Sequence, residues 1–310
     1  MMNEVIVVGG SVAGLSVALV LAQARRDVLV VDAGEPRNAP SAQLHGYLGH
    51  DGDAPSTLLQ AGRDEVRDHG GQLREGTVTA AARTDGGFVV DLADGVRISS
   101  RVLVIATGLI DHLPEIPGLA AGWGQDVVHC PYCHGVEVAD LAIGVIGGTA
   151  MDAFRAQLVR QWSSDVTLFS DGATVSDEER DRLAARNIEV VDGAVQRLER
   201  DPGGKLRGVA LEGEQQHACQ AVFVWAPPEP RDALLRQLGV ETDELEMFGT
   251  WPRIGADGRT EVPGLWAVGN VSDPRLNLIA ATAHGAYAAA MINHELITQD
   301  VDAAMEARSA

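Results

Sequence analysis

The sequence predicts an α/β protein with two Rossmann-like domains, and three observations lead there. The first is the opening passage "EVIVVGGSVAGLSVALVLAQARRDVLVVDAG", which reads as strand, glycine turn, helix, strand. Its strands are continuous β-branched runs, the pattern of parallel strands buried on both faces. The second is a return of the same plan in "LAIGVIGGTAMDAFRAQLVRQWSSDVTLFSDG", with Gly147 answering to Gly9. The third is a meander-like passage after each unit, "GGFVVDLADGVRISSRVLVIATG" and "LRGVALEGEQQHACQAVFVWAPP".

In the first unit, "GGSVAG" matches G-x-G-x-x-G at Gly9 and Gly14, with Ser11 in the middle position. Gly9 permits the tight turn and Gly14 close helix packing. The helix N-terminus then faces a pyrophosphate, and Asp32, ending the second strand, accepts from a ribose hydroxyl. No residue from Val5 to Ala24 is charged, so a membrane span or signal peptide has to be considered. Glu4 precedes the run without a Lys or Arg, glycines interrupt it, and a second apolar run follows, so a buried strand and helix are expected instead.

Turns at "TDGG" and "LADG" predict hairpins, and a buried strand ends at Ala106, Thr107 and Gly108. The second glycine turn is poorer: Thr149 and Asp152 stand where small residues are expected, and a carboxylate at a helix start opposes a phosphate. After Pro252, "RIGADGRTEVPGLWAVGN" predicts a short hairpin and strand, and "LNLIAATAHGAYAAAMINHEL" an Ala-rich helix able to pack close to backbone. The tail "DAAMEARSA" is expected to fray. Short joints are expected near 112–118 and 244–252.

The chain has 310 residues, enough for two medium domains. With 44 acidic and 24 basic residues its formal net charge is −20, which disfavours nucleic acid and anionic membranes as partners. It has 3 cysteines, too few for a secreted disulfide framework, so a cytoplasmic location is expected. Cys130 and Cys133 form the CxxC of "HCPYCHG", which fits a metal site, a structural disulfide or a redox pair. Zinc needs four ligands, and His129 and His134, adjacent on one short loop, converge poorly with the two sulfurs, so no metal is expected. Cys219, in an apolar strand region, reads as an inert buried thiol, and Trp162, Trp225 and Trp251 as packing residues.

The order N-terminal GxGxxG, "ATG", CxxC, second GG turn and "VPGLWAVGN" resembles the low-molecular-weight thioredoxin reductase family over nearly the whole chain. That resemblance implies two three-layer (ββα) nucleotide-binding domains, the second inserted into the first: residues 1–115 and 248–310 for FAD, and 116–247 as an NAD(P)-binding-like domain with the CxxC. It also implies a homodimer. The implied FAD set is Gly9, Ser11, Val12, Ala13 and Gly14 in the turn, then Asp32, Ala33, Gly34, Arg37, Asn38 and His45. Val78, Ala106, Thr107, Gly108, Asn270, Asn277 and Leu278 complete it.

The departures from the reductase pattern carry more. Reductases place a basic cluster after the second strand of the NADPH domain, whereas this chain reads "VTLFSDG" there, with Asp171. The CxxC is followed by His134, and "GN" with Asn270 replaces the reductase "GD"; both features are similar to the FAD-dependent dithiol oxidases of gliotoxin- and holomycin-type natural products. That branch implies that a small-molecule dithiol is oxidised to its disulfide, with Cys130 facing substrate and Cys133 the flavin, and that O2 is reduced to hydrogen peroxide. His134 is the expected base, because an imidazole titrates near neutrality. Asn270 keeps a hydrogen bond to the ribityl chain without the carboxylate charge. His284 is expected near the flavin, with His129 a weaker candidate. The other reading is an NAD(P)H-dependent disulfide reductase.

Overall fold

The computed structural model describes residues 2–213 and 215–309. The chain forms two compact units: Met1–Arg37, Ser56–Ile110 and Pro228–Ala310 make one, and Asn38–Pro55 with Asp111–Pro227 the other. These units differ from the expected boundaries at 38–55, 111–115 and 228–247. Residues 228–247 go with the first unit because Leu234, Leu235 and Val240 join its core. The segment 38–55 goes with the second.

In the first unit the strand Asn3–Val8 lies at the centre of the sheet, parallel to Val28–Asp32 on one side and to Arg97–Ile105 on the other. Gln72–Glu75 continues the parallel set beyond Val28–Asp32, and Leu265–Ala267 pairs parallel with Arg97–Ile105. The expected meander is Val78–Thr84, Gly87–Leu92 and Arg97–Ile105, antiparallel throughout. Strand alternation divides the apolar residues between two layers. Val5, Val7, Val28 and Val30 face the helices Val12–Gln23 and Leu278–Ser309, while Ile6, Val8, Leu29 and Val31 face the layer containing Phe88 and Val90. Burial on both faces explains the uncharged opening run. Among the described residues no helix is long and apolar enough to cross a membrane.

The Ala-rich passage is helical from Leu278 to Ser309, so the expected fraying of the tail is not seen. Residues 301–309 are exposed, and Ala, Met, Glu and Arg have high intrinsic helix propensity, which lets an exposed end extend a helix anchored further back. The anchor is a close crossing: a side chain at Gly285 would collide with the Ala13 carbonyl.

The second unit repeats the plan. Ile143–Ile146 is flanked in parallel by Val166–Phe169 and Ala221–Val224, with Glu189–Val191 and Val127–Val128 outside them. The helix Ala150–Val159 covers one face, and an antiparallel trio, Val195–Arg200, Leu206–Leu211 and Gln216–Ala218, follows.

Candidate active site and cofactor cradle

The glycine turn of the first unit is built for close approach. Gly9 has φ 109° and a side chain there would strike the Ala106 carbonyl; one at Gly14 would strike the Gly9 carbonyl. Gly10, which the sequence reading passed over, is equally constrained: an added Cβ would lie 2.7 Å from the Asp32 carboxyl carbon. Ser11 is the N-cap of Val12–Gln23, yet its side chain makes no capping bond, and the first turn carries no acid. The leading N–H groups of that helix are therefore open to an anion.

Asp32 accepts from the Gly10 N–H at 3.0 Å through one oxygen and from Arg63 at 3.1 Å through the other. Arg63 lies on the helix Pro55–Asp68 and had no signal in the sequence. Ala33 and Gly34 follow Asp32, with Gly34 at φ 79°. Ala106, Thr107 and Gly108 sit at the end of Arg97–Ile105, and the Thr107 hydroxyl donates to the Arg231 carbonyl at 2.7 Å. Val78 opens the meander at the same sheet. The Asn270 amide donates to the carbonyls of Asp273 and Leu276, at 3.2 and 2.8 Å, and its oxygen faces the Arg37 guanidinium at 3.4 Å. Those two donated bonds are ones a carboxylate could not make. Asn277 caps the long helix, accepting from Ala280 N–H at 3.0 Å, with Leu278 its first residue. His284 accepts from the Gly269 N–H at 3.3 Å, and burial pushes its pKa below the ordinary imidazole value.

In the second unit Cys130 and Cys133 are joined in a disulfide. Cys130 is the N-cap of a one-turn helix, Pro131–His134, with Pro131 at the first helical position, where a missing N–H costs nothing. Gly135 follows because a side chain there would enter the Trp162 ring, 2.6 Å away. Tyr132 is exposed and meets Trp162 edge-on, and His129 stacks on Trp123.

His134 is buried, and its Nε2 lies 3.2 Å from the Ser41 hydroxyl. Burial lowers its pKa, the Cys130 carbonyl opposes that, and the nearby His45 lowers it further. The fold thereby favours the neutral form of the ring. Asn38 and His45, expected at the cofactor, belong to this unit; His45 Nε2 faces Glu137 at 3.1 Å and its Nδ1 faces Asp51 at 3.5 Å. Ser41 and Glu137 went unnoticed in the sequence.

The second glycine turn differs from the first in one respect. Thr149 and Asp152 form a reciprocal capping box, and Asp152 also binds Arg155 at 2.6 Å. A side chain at Gly147 would meet the Asp152 carboxylate, which occupies the space above the turn. Arg155 in turn lies 5.6 Å from the Trp225 ring. The Asp171 carboxylate is engaged by the Val195 N–H at 2.9 Å.

Residues 3–290 match the family described as pyridine nucleotide-disulphide oxidoreductase. The chain belongs to that family. It is thus an oxidoreductase of the pyridine nucleotide-disulphide type, with the two-Rossmann-domain architecture of its relatives. It is 28% identical to a protein named thioredoxin reductase tcpT of Claviceps purpurea, over 95% of this chain and 94% of the relative. It is 26% identical to thioredoxin reductase sirT of Leptosphaeria maculans, over 97% and 96%. Among solved structures it resembles HlmI, at 45% identity and TM-score 0.93, covering 99% of this chain and 96% of the other. An oxidoreductase from Agrobacterium tumefaciens is similar at 33% identity and TM-score 0.89, covering 96% and 99%.

Proposed function

We propose that the protein is an FAD-dependent dithiol oxidase: a small-molecule dithiol and O2 give the disulfide and hydrogen peroxide, through the Cys130–Cys133 pair. The observation that carries this reading is the contrast between the two helix starts. Val12–Gln23 leaves its N–H groups open behind a glycine cradle, whereas Ala150–Val159 is closed by its own Asp152. The first suits a dinucleotide pyrophosphate; the second presents a carboxylate where a nicotinamide dinucleotide would need to place phosphate. His134 after the CxxC and Asn270 in the "GN" turn support the same reading.

The cradle residues fit FAD. Gly9, Gly10 and Gly14 allow backbone approach, Asp32 would accept from a ribose hydroxyl, and Asn270 and Arg37 would hold the chain linking ribose to ring. FAD supplies the two-electron relay between dithiol and O2.

The chain's own residues do the rest. His134 takes the proton of an incoming thiol, and the thiolate attacks Cys130, breaking its bond to Cys133. The second substrate thiol displaces Cys130 from the mixed disulfide. The products are the substrate disulfide and a Cys130/Cys133 dithiol carrying the two electrons and two protons that finally reach O2. Cys130→Ser or Cys133→Ser should reduce turnover to background.

The relatives named thioredoxin reductase favour the second reading, reduction by NAD(P)H. Stopped-flow spectroscopy separates the two. The oxidase reading expects neither NADPH nor NADH to bleach the bound flavin within a second, while dithiothreitol in air yields peroxide over many turnovers. Fast bleaching by a nicotinamide with no peroxide from dithiols would establish the reductase.

A further inference from the structure

The segment 38–55 is a folded loop held by its own bonds. Leu44 N–H donates to Asp53 carbonyl at 2.8 Å, Gly52 N–H to Leu44 carbonyl at 2.9 Å, and Gly46 N–H to the Asp51 carboxylate at 2.9 Å. It is seated on the second unit, where Gly124 leaves room for Pro40; an added Cβ would come within 2.7 Å of the Pro40 side chain. From this loop two side chains reach the disulfide turn. Ser41 meets His134, and His45 meets Glu137, one turn further along the chain, whose N–H donates to the His134 carbonyl at 3.0 Å.

These contacts are sheltered. The side chains of His45 and Glu137 are 10% and 19% exposed, and His134 is buried. His134 Nε2 lies 3.2 Å from the Ser41 hydroxyl, and the Cys130 carbonyl lies close enough to the ring to favour its protonated form. Burial raises the pKa of the Glu137 carboxyl, and His45 Nε2, 3.1 Å away, opposes that rise by proximity without hydrogen-bond geometry. The ionisable groups beside the ring are His45 and, around His45, Glu137 at 3.1 Å from its Nε2 and Asp51 at 3.5 Å from its Nδ1.

We propose that Ser41 and the His45–Glu137 pair are positioning residues for thiol–disulfide exchange at Cys130–Cys133: Ser41 orients the His134 imidazole through Nε2, and the His45–Glu137 pair sets the charge that the ring faces. The inference rests on the reading of Cys130–Cys133 as an exchanging pair with His134 as its base. Ser41 holds one ring nitrogen and so restricts the ring's rotation. His45 lies near enough to the ring to lower its pKa further, in the same direction as burial.

The test is anaerobic reduction of the Cys130–Cys133 disulfide in the holoenzyme by dithiothreitol, quenched by alkylation and read by mass spectrometry between pH 5.5 and 9. One thiolate of dithiothreitol opens the disulfide and the second closes its ring, so the assay balances without O2. Ser41→Ala should slow exchange by about 10-fold across the range, the scale of a misoriented catalytic group, and Ser41→Thr should restore most of it. Glu137→Gln should displace the acidic limb of the profile, because the contact that holds His45 beside the ring is lost. His45→Gln reads the same limb should Glu137→Gln fail to fold. Profiles for Ser41→Ala and Glu137→Gln that superimpose on a working wild type would overturn the positioning role alone. A wild-type disulfide that dithiothreitol leaves intact would overturn the redox reading and this inference with it.

Discussion

Asp152 accepts from the Thr149 N–H at 3.1 Å and from its hydroxyl at 2.7 Å, so a helix start that in a nucleotide site would face phosphate is closed by its own third residue. Arg155 completes the arrangement, and both charged side chains are under a tenth exposed. Asp152→Ala should leave Arg155 buried without its partner and remove the cap. The expected loss is about 3 kcal/mol of unfolding free energy, read from urea denaturation followed by circular dichroism. Peroxide production with dithiothreitol should persist, because the hydrogen-bond partners of Asp152 are Thr149 and Arg155, outside the disulfide turn.

Burial lowers the pKa of both His134 and His284 in the folded protein. The unfolded chain then binds more protons than the folded one between the depressed values and the ordinary imidazole value of about 6.5. Stability from these two groups is fully present above that value and falls as the pH drops toward the folded pKa. Urea midpoints measured from pH 7.5 to 5 should decline, and His134→Gln should flatten part of the decline. A wild-type midpoint that rises on acidification would contradict the neutral, buried ring.

Cys219 is buried, and desolvation is the main cause pushing its thiol up to about 12. At pH 8 it is protonated and inaccessible, so it should not react. Titration of air-oxidised protein with a thiol reagent should find no reactive thiol when native, one after unfolding, and all 3 cysteines after unfolding with a reductant. One fast-reacting thiol in the native protein would show that the link between Gln216–Ala218 and Ala221–Val224, which carries Cys219, opens.

Gly285 lies where the Leu278–Ser309 helix crosses the Ala13 carbonyl. Backbone lies opposite, so a new methyl group cannot be relieved by a rotamer change. Gly285→Ala should cost about 1–3 kcal/mol, the range for overpacking, partly offset by the better helix propensity of Ala. The readout is the urea midpoint of the FAD-loaded protein together with flavin retention on gel filtration, since Ala13 belongs to the glycine turn.

Much of the fold was legible because its signals are local. β-branched runs around "GGSVAG" and "GGTAMD" specified two parallel cores, and hairpin turns at "TDGG" and "LADG" specified the meander. Gly9, Gly14, Cys130 and Cys133 follow from spacing, and His134 from the resemblance to the dithiol oxidases. The exposed end of the last helix was misread because its composition, polar and charged, is shared by frayed tails and by helices anchored elsewhere.

What the sequence by itself determined, then, is the pair of βαβ units, the glycine turn and the redox motif, since each is encoded within a short window by periodicity and residue type. Only the tertiary structure decided the partners of those groups. Arg63 at Asp32, Ser41 at His134, His45 at Glu137 and Val195 at Asp171 come from segments distant in the chain, and a single side chain recruited across such a distance leaves no periodic trace. Thr149 and Asp152 stand between the two cases. Their sequence showed that a phosphate site was spoiled, but the capping box and the buried Arg155 showed what the carboxylate does instead, because a hydrogen bond depends on geometry that composition does not carry.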